Sequence, residues 1–95
     1  MSQMGVVNNN LFILERSMRY LYFTSEYCVP CKSLKPRILK HHEIAIIDID
    51  KSNEYVVKYN VMSVPTLLVI NNDNSVETQI SGTRISKWLD ETFKE

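Results

Sequence analysis

Ninety-five residues leave room for one domain with a single core. Eleven Lys and Arg balance eleven Asp and Glu, and the cations are scattered, which excludes the clustered positive surface that nucleic-acid binding requires. No apolar run approaches the roughly 20 residues that cross a bilayer. Residues 1–10 carry neither a basic start nor a small-residue cleavage site, so the expectation is a cytoplasmic chain with no secretory leader and no membrane partner.

In chain order, residues 1–9 read as a loose lead-in. Asn10 then caps a short helix over Leu11 to Met18, with a strand over Phe12 to Leu14 as the alternative. Arg19 to Thr24, rich in Tyr, Leu and Phe, predicts a strand. Ser25 to Val29 turns, and Pro30 suits a first helical turn because its missing N–H would have no partner there. The helix should run to about Lys40 with Leu34, Ile38 and Leu39 facing inward and a kink at Pro36. Glu43 to Asp50 predicts a strand whose apolar run suggests burial on both faces. Ser52 or Asn53 caps a helix over Glu54 to Tyr59, Thr66 to Ile70 is a third strand, Asn71 to Ser75 a hairpin turn, and Val76 to Ile80 an edge strand. Ser86 opens or joins a final amphipathic helix that ends near Lys94, with Ile85, Trp88, Leu89 and Phe93 at helical spacing. The order is β-α-β-α-β-β-α, and the first half is a right-handed βαβ crossover. Reactive groups are expected beyond the carboxyl end of its first strand.

Cys28 falls there. It and Cys31 are the two cysteines of the chain, spaced Cys-Val-Pro-Cys between a strand and a helix. Such a pair at a helix start can close a small disulfide that reopens easily. A helix N-terminus favours thiolate over thiol at Cys28, because unpaired N–H groups and the positive end of the dipole face it. Zinc is a poor alternative. It needs four ligands, and the nearby His41 and His42 are adjacent rather than three to five residues apart. His41 and His42 read instead as a solvated helix exit, Trp88 as core packing, and Asp48 and Asp50 as the end of a strand and the start of a turn.

Three segments resemble the thioredoxin family. FTSEYCVPCKSLKP is similar to its active-site strand, turn and helix, NVMSVPTLLVINNDN to its cis-proline segment and hairpin, and QISGTRISKWLDETF to its closing glycine loop and last helix. The likeness covers Arg19 to Phe93, with Met1 to Met18 as a short substitute for the family's first strand and long first helix. It implies an α/β thioredoxin fold in a single domain, 19–95 forming the core and 1–18 a short extension. Its central mixed sheet would have four strands, or five if the extension adds one. The implied activity is thiol–disulfide exchange on disulfide-bearing proteins, by a monomer without cofactor or metal, reduced in turn by a thioredoxin reductase-like enzyme or by glutathione. Cys28 would attack and Cys31 resolve. Pro30 would stiffen the turn, and a cis Pro65 would pack against the disulfide. The Val64 backbone would pair with the substrate peptide, Gly82 would leave space for it, and Tyr27 and Val29 would complete the contact surface.

Three departures accompany the likeness. The family's buried acid falls on Tyr22 and its neighbouring lysine on Ile46, which leaves Glu26 and Tyr22 as weak candidates for the proton relay. The aromatic before the nucleophile is Tyr27 rather than Trp, and Val29 stands where glycine is usual. Two rival readings remain at this level: a glutathione-coupled glutaredoxin-like reductase, and a non-catalytic interaction module that keeps the fold. The segment INNDNSVE lacks the Gly-Gly pair of glutaredoxin-like chains and weighs against the first.

Overall fold

A computed structural model describes residues 19–94. The proposed helix over Leu11 to Met18, and any fifth strand there, lie outside the described residues. Four strands and three helices follow in the expected order: β1 (Arg19–Thr24), α1 (Val29–Leu39), β2 (Ile44–Asp48), α2 (Glu54–Tyr59), β3 (Thr66–Ile70), β4 (Val76–Ser81) and α3 (Arg84–Phe93). The strands form one mixed sheet in the order β2-β1-β3-β4, with β1 parallel to β2 and antiparallel to β3.

Alternation along β1 divides the core into two layers. Tyr22 points to one face, where it joins Ile38 of α1, Leu67 and Val69 of β3, and Ile85 and Leu89 of α3. Leu21 and Phe23 point to the other, where Leu68, Ile70 and Val61 pack with Val56 and Tyr59 of α2. β3 is therefore buried at every position. Trp88 is core packing as expected, edge-on to Tyr20 with ring centres 5.5 Å apart.

Three expectations are corrected. Leu39 is 62% exposed: Leu34 and Ile38, four residues apart, share the inward face, and the next residue rotates away from it. β2 is not buried on both faces, since only Ile44 is buried, Ala45 is exposed and Ile46, Ile47 and Asp48 are half-buried. Among the described residues it is a sheet edge, with a neighbour on one side only. His41 is not simply a solvated exit residue, because its ring stacks on Phe93 at 3.9 Å between centres. The first helix runs through Pro36 to Leu39. Ser86 joins the last helix, which starts at Arg84 after the N-cap Thr83 and after Gly82, whose φ of 63° turns the chain out of β4.

Candidate active site

The sheet register gathers the site. Thr24 is level with Asp48 across the β1–β2 pair, Phe23 with Thr66 across β1–β3, and Thr66 with Ser81 across β3–β4. The segments leaving β1 toward Cys28, leaving β2 toward Asp50, entering β3 through Pro65 and leaving β4 at Gly82 consequently meet at one end of the sheet.

Cys28 is the N-cap of α1, in extended conformation, with Pro30 in the first turn. Its sulfur is bonded to Cys31 Sγ, with the two Cα atoms 5.2 Å apart, and it accepts the Cys31 N–H at 3.2 Å. Cys28 is half-buried and Cys31 fully buried. The outer sulfur is thus the one a partner can reach. The first turn of α1 contains no carboxylate, so nothing there offsets the positive end of the helix dipole.

The loop before Cys28 is held from β2. Asp50 Oδ2 accepts the Ser25 hydroxyl at 2.7 Å and the Glu26 N–H at 3.2 Å. Ser25 in turn accepts the Tyr27 N–H on its hydroxyl at 3.2 Å and the Cys28 N–H on its carbonyl, also at 3.2 Å. Asp48 is the turn former expected of it, taking the Asp50 N–H on Oδ1 at 2.9 Å. The role of Asp50 had no signal in sequence except its place just past a strand parallel to the one that leads to Cys28.

Across the site, the Val64–Pro65 peptide is cis and Pro65 is buried. The Thr66 hydroxyl donates to the Ser63 carbonyl at 2.7 Å and lies 3.2 Å from Ser81 Oγ. Gly82 donates its N–H to the Pro65 carbonyl at 3.0 Å, and no heavy atom beyond its own and its chain neighbours' stands within 4 Å of where a Cβ would be. Tyr27 and Val29 are 87% and 72% exposed, and Pro30 is exposed too. Beside Val64 opens a cleft of about 240 Å³ lined by Ile49, Val56, Val61, Met62 and Ser63, with Met62 itself 82% exposed. Met62 gives no signal in sequence, because one exposed apolar residue in a loop makes no pattern. Among the described residues, no group of three His, Cys, Asp or Glu is placed to hold a metal ion, and no helix is long and apolar enough to cross a membrane.

The thioredoxin family model matches residues 8–95. The chain belongs to the thioredoxin family. Among its relatives, the thioredoxin of Bacillus subtilis is 37% identical over 65 residues, covering 61% of this chain and 62% of that one. The thioredoxin of Buchnera aphidicola is 35% identical over 77 residues, covering 73% and 71%. The match to the Bacillus protein thus spans about three fifths of that relative's length. In structure the chain is similar to reduced Schistosoma mansoni thioredoxin, with a TM-score of 0.71 at 27% identity over 88% of this chain and 84% of that one. The Drosophila melanogaster thioredoxin Deadhead shares the fold, with a TM-score of 0.70 at 23% identity over 88% of this chain and 86% of that one.

Within this thioredoxin fold the departures acquire positions. Tyr22 and Ile46 are register partners on adjacent strands, so the two places where the family has an acid and a lysine are neighbours here and both are uncharged. Glu26 is exposed and its N–H is taken up by Asp50. Tyr22 is fully buried with its hydroxyl donated to the Cys31 carbonyl at 2.9 Å. Burial pushes its pKa up to about 12, against a smaller opposing effect of the Thr24 side chain. Tyr22 is therefore un-ionised at neutral pH and is no carboxylate substitute.

Proposed function

We propose that this chain reduces protein disulfides by thiol–disulfide exchange through the Cys28–Cys31 couple. The observation that carries the reading is the half-buried Cys28 at the N-cap of α1, bonded to a fully buried Cys31 and flanked by exposed Tyr27, Val29 and Pro30. In the reduced protein the Cys28 thiolate attacks one sulfur of a substrate disulfide and the other leaves as a thiolate, giving a mixed disulfide. Cys31 then attacks Cys28, the second substrate sulfur departs, and two electrons have passed from the dithiol to the substrate. The Val64 and Gly82 backbones border the path along which an extended substrate strand reaches Cys28. A thioredoxin reductase-like donor, or glutathione, restores the dithiol. The protein acts as a monomer in the cytoplasm, where a lone C-x-x-C pair serves catalysis rather than stapling.

Both the family match and the curated relatives are thioredoxins, which disfavours the glutaredoxin-like alternative. Titrating the pair against defined thiol–disulfide buffers tests the proposal. A midpoint near roughly −270 mV supports a reductant, a value near −200 mV or higher points to glutathione coupling or to oxidation, and no reversible disulfide would leave a fold used for interaction alone.

A further inference from the structure

Tyr22 is completely buried at the middle of the central strand, its ring among Ile38, Leu67, Ile85 and Leu89. A phenylalanine would fill that core without a polar atom to satisfy. The hydroxyl has a defined partner, the carbonyl of Cys31 at 2.9 Å, and so bridges the sheet to the first turn of α1. Cys31 is thereby held on both sides, its N–H on Cys28 Sγ and its C=O on Tyr22. With the backbone restrained, χ1 is the torsion left to move the buried sulfur.

Resting on the exchange reaction proposed above, we infer that Tyr22 is a positioning residue for the resolving thiol: it keeps the Cys31 backbone docked while substrate is attached to Cys28, and it does not carry the Cys31 proton. In that step Cys31 Sγ bonds to Cys28 Sγ, the bond from Cys28 to the substrate sulfur breaks, and its electron pair leaves on the substrate. Cys31 and Cys28 end oxidised as the disulfide, the released sulfur is reduced, and the Cys31 proton passes to solvent or to that thiolate. A phenol whose O–H is aimed at a carbonyl, and whose ionisation burial pushes up to about 12, does not serve as the base for that proton. Deprotonation of Cys31 is left to solvent, and resolution should follow the ionisation of Cys31 itself.

The test mixes the full-length reduced protein with the aromatic disulfide of 5-thio-2-nitrobenzoate in stopped flow between pH 5 and 9. The first release of coloured thiolate reports attack by Cys28 and the second reports resolution by Cys31. That leaving group needs no proton, so the second phase isolates the Cys31 thiol. In the wild-type protein the second phase should rise about tenfold per pH unit below the ordinary thiol range, and an inflection well below that range would reveal a base and overturn the inference. Tyr22→Phe, which keeps the ring, should slow the second phase about fivefold at every pH, leaving its pH profile and the first phase unchanged. An unchanged rate would reduce Tyr22 to core filling, and an altered profile would put it in the proton path; either overturns the inference. A folded protein with no first phase would instead remove the exchange reaction and this inference with it.

Discussion

The hydroxyl of Ser25 donates to the carboxylate of Asp50 at 2.7 Å, across the ends of two parallel strands. This bond couples the end of β2 to the loop that carries Cys28, since Ser25 also accepts the N–H groups of Tyr27 and Cys28. A carboxylate accepting two hydrogen bonds is a stronger anchor than a neutral group. Asp50 is exposed, however, so solvent weakens its contribution.

Asp50→Ala should therefore lower the free energy of unfolding by only about 1 kcal/mol, the net value of an ordinary hydrogen bond. Asp50→Asn keeps an acceptor for Ser25 and should recover more than half of that loss. Urea unfolding of both variants checks the order; equal losses would mean the charge rather than the bond supports the loop.

Cys31→Ser should leave Cys28 able to attack but remove the group that releases the adduct. Mixed disulfides with substrate proteins should then accumulate and disappear on adding a reductant, whereas Cys28→Ser should form none. Non-reducing gel electrophoresis reads both outcomes, and adducts on Cys31 in the Cys28→Ser protein would reverse the assigned roles.

Tyr22 makes a distinct prediction about alkaline stability. Its folded pKa of about 12 lies above the model-peptide value of 10.0, so the folded state holds its proton more tightly than the unfolded state does. The associated stability is fully present below pH 10 and is lost as pH rises through 12, by about 3 kcal/mol in total. Tyr22→Phe has no such proton to lose. Denaturant midpoints measured from pH 9 to 11.5 should fall more steeply for wild type than for this variant, and parallel curves would contradict the assignment.

Gly82 sits at φ 63° with open space where a Cβ would project. Substitution there costs backbone conformation rather than a clash. Gly82→Ala should destabilise by roughly 1 kcal/mol, and Gly82→Asn by less, because Asn tolerates the left-handed region better. Thermal melts of the two variants decide it. A much larger loss would require a contact that the folded protein does not show.

Most of the element order was legible because it depends on local signals. The aromatic run at Arg19 to Thr24, the Cys-Val-Pro-Cys pair at a helix start, Pro30 in the first turn and the asparagine-rich hairpin at Asn71 to Ser75 each act over a few residues, and each falls where the structure places it. Leu39 escapes the sequence pattern because periodicity identifies an apolar stripe but not which of the adjacent Ile38 and Leu39 touches the sheet. The burial of β2 was not legible because an apolar run reports hydrophobicity, while burial on both faces needs elements that cover both faces.

The two residues replacing the family's acid and lysine show the same division. Sequence alone determined that positions 22 and 46 carry no charge, that Cys28 and Cys31 can close a four-residue loop, and that a strand, turn and helix present them. Only the tertiary structure decided that Tyr22 and Ile46 are partners across β1 and β2, that the Tyr22 hydroxyl ends on the Cys31 carbonyl, and that Asp50 holds the loop before Cys28. The physical reason is distance along the chain. Propensity and periodicity act between near neighbours, whereas strand register and a buried hydrogen bond join residues whose adjacency exists only once the sheet has formed.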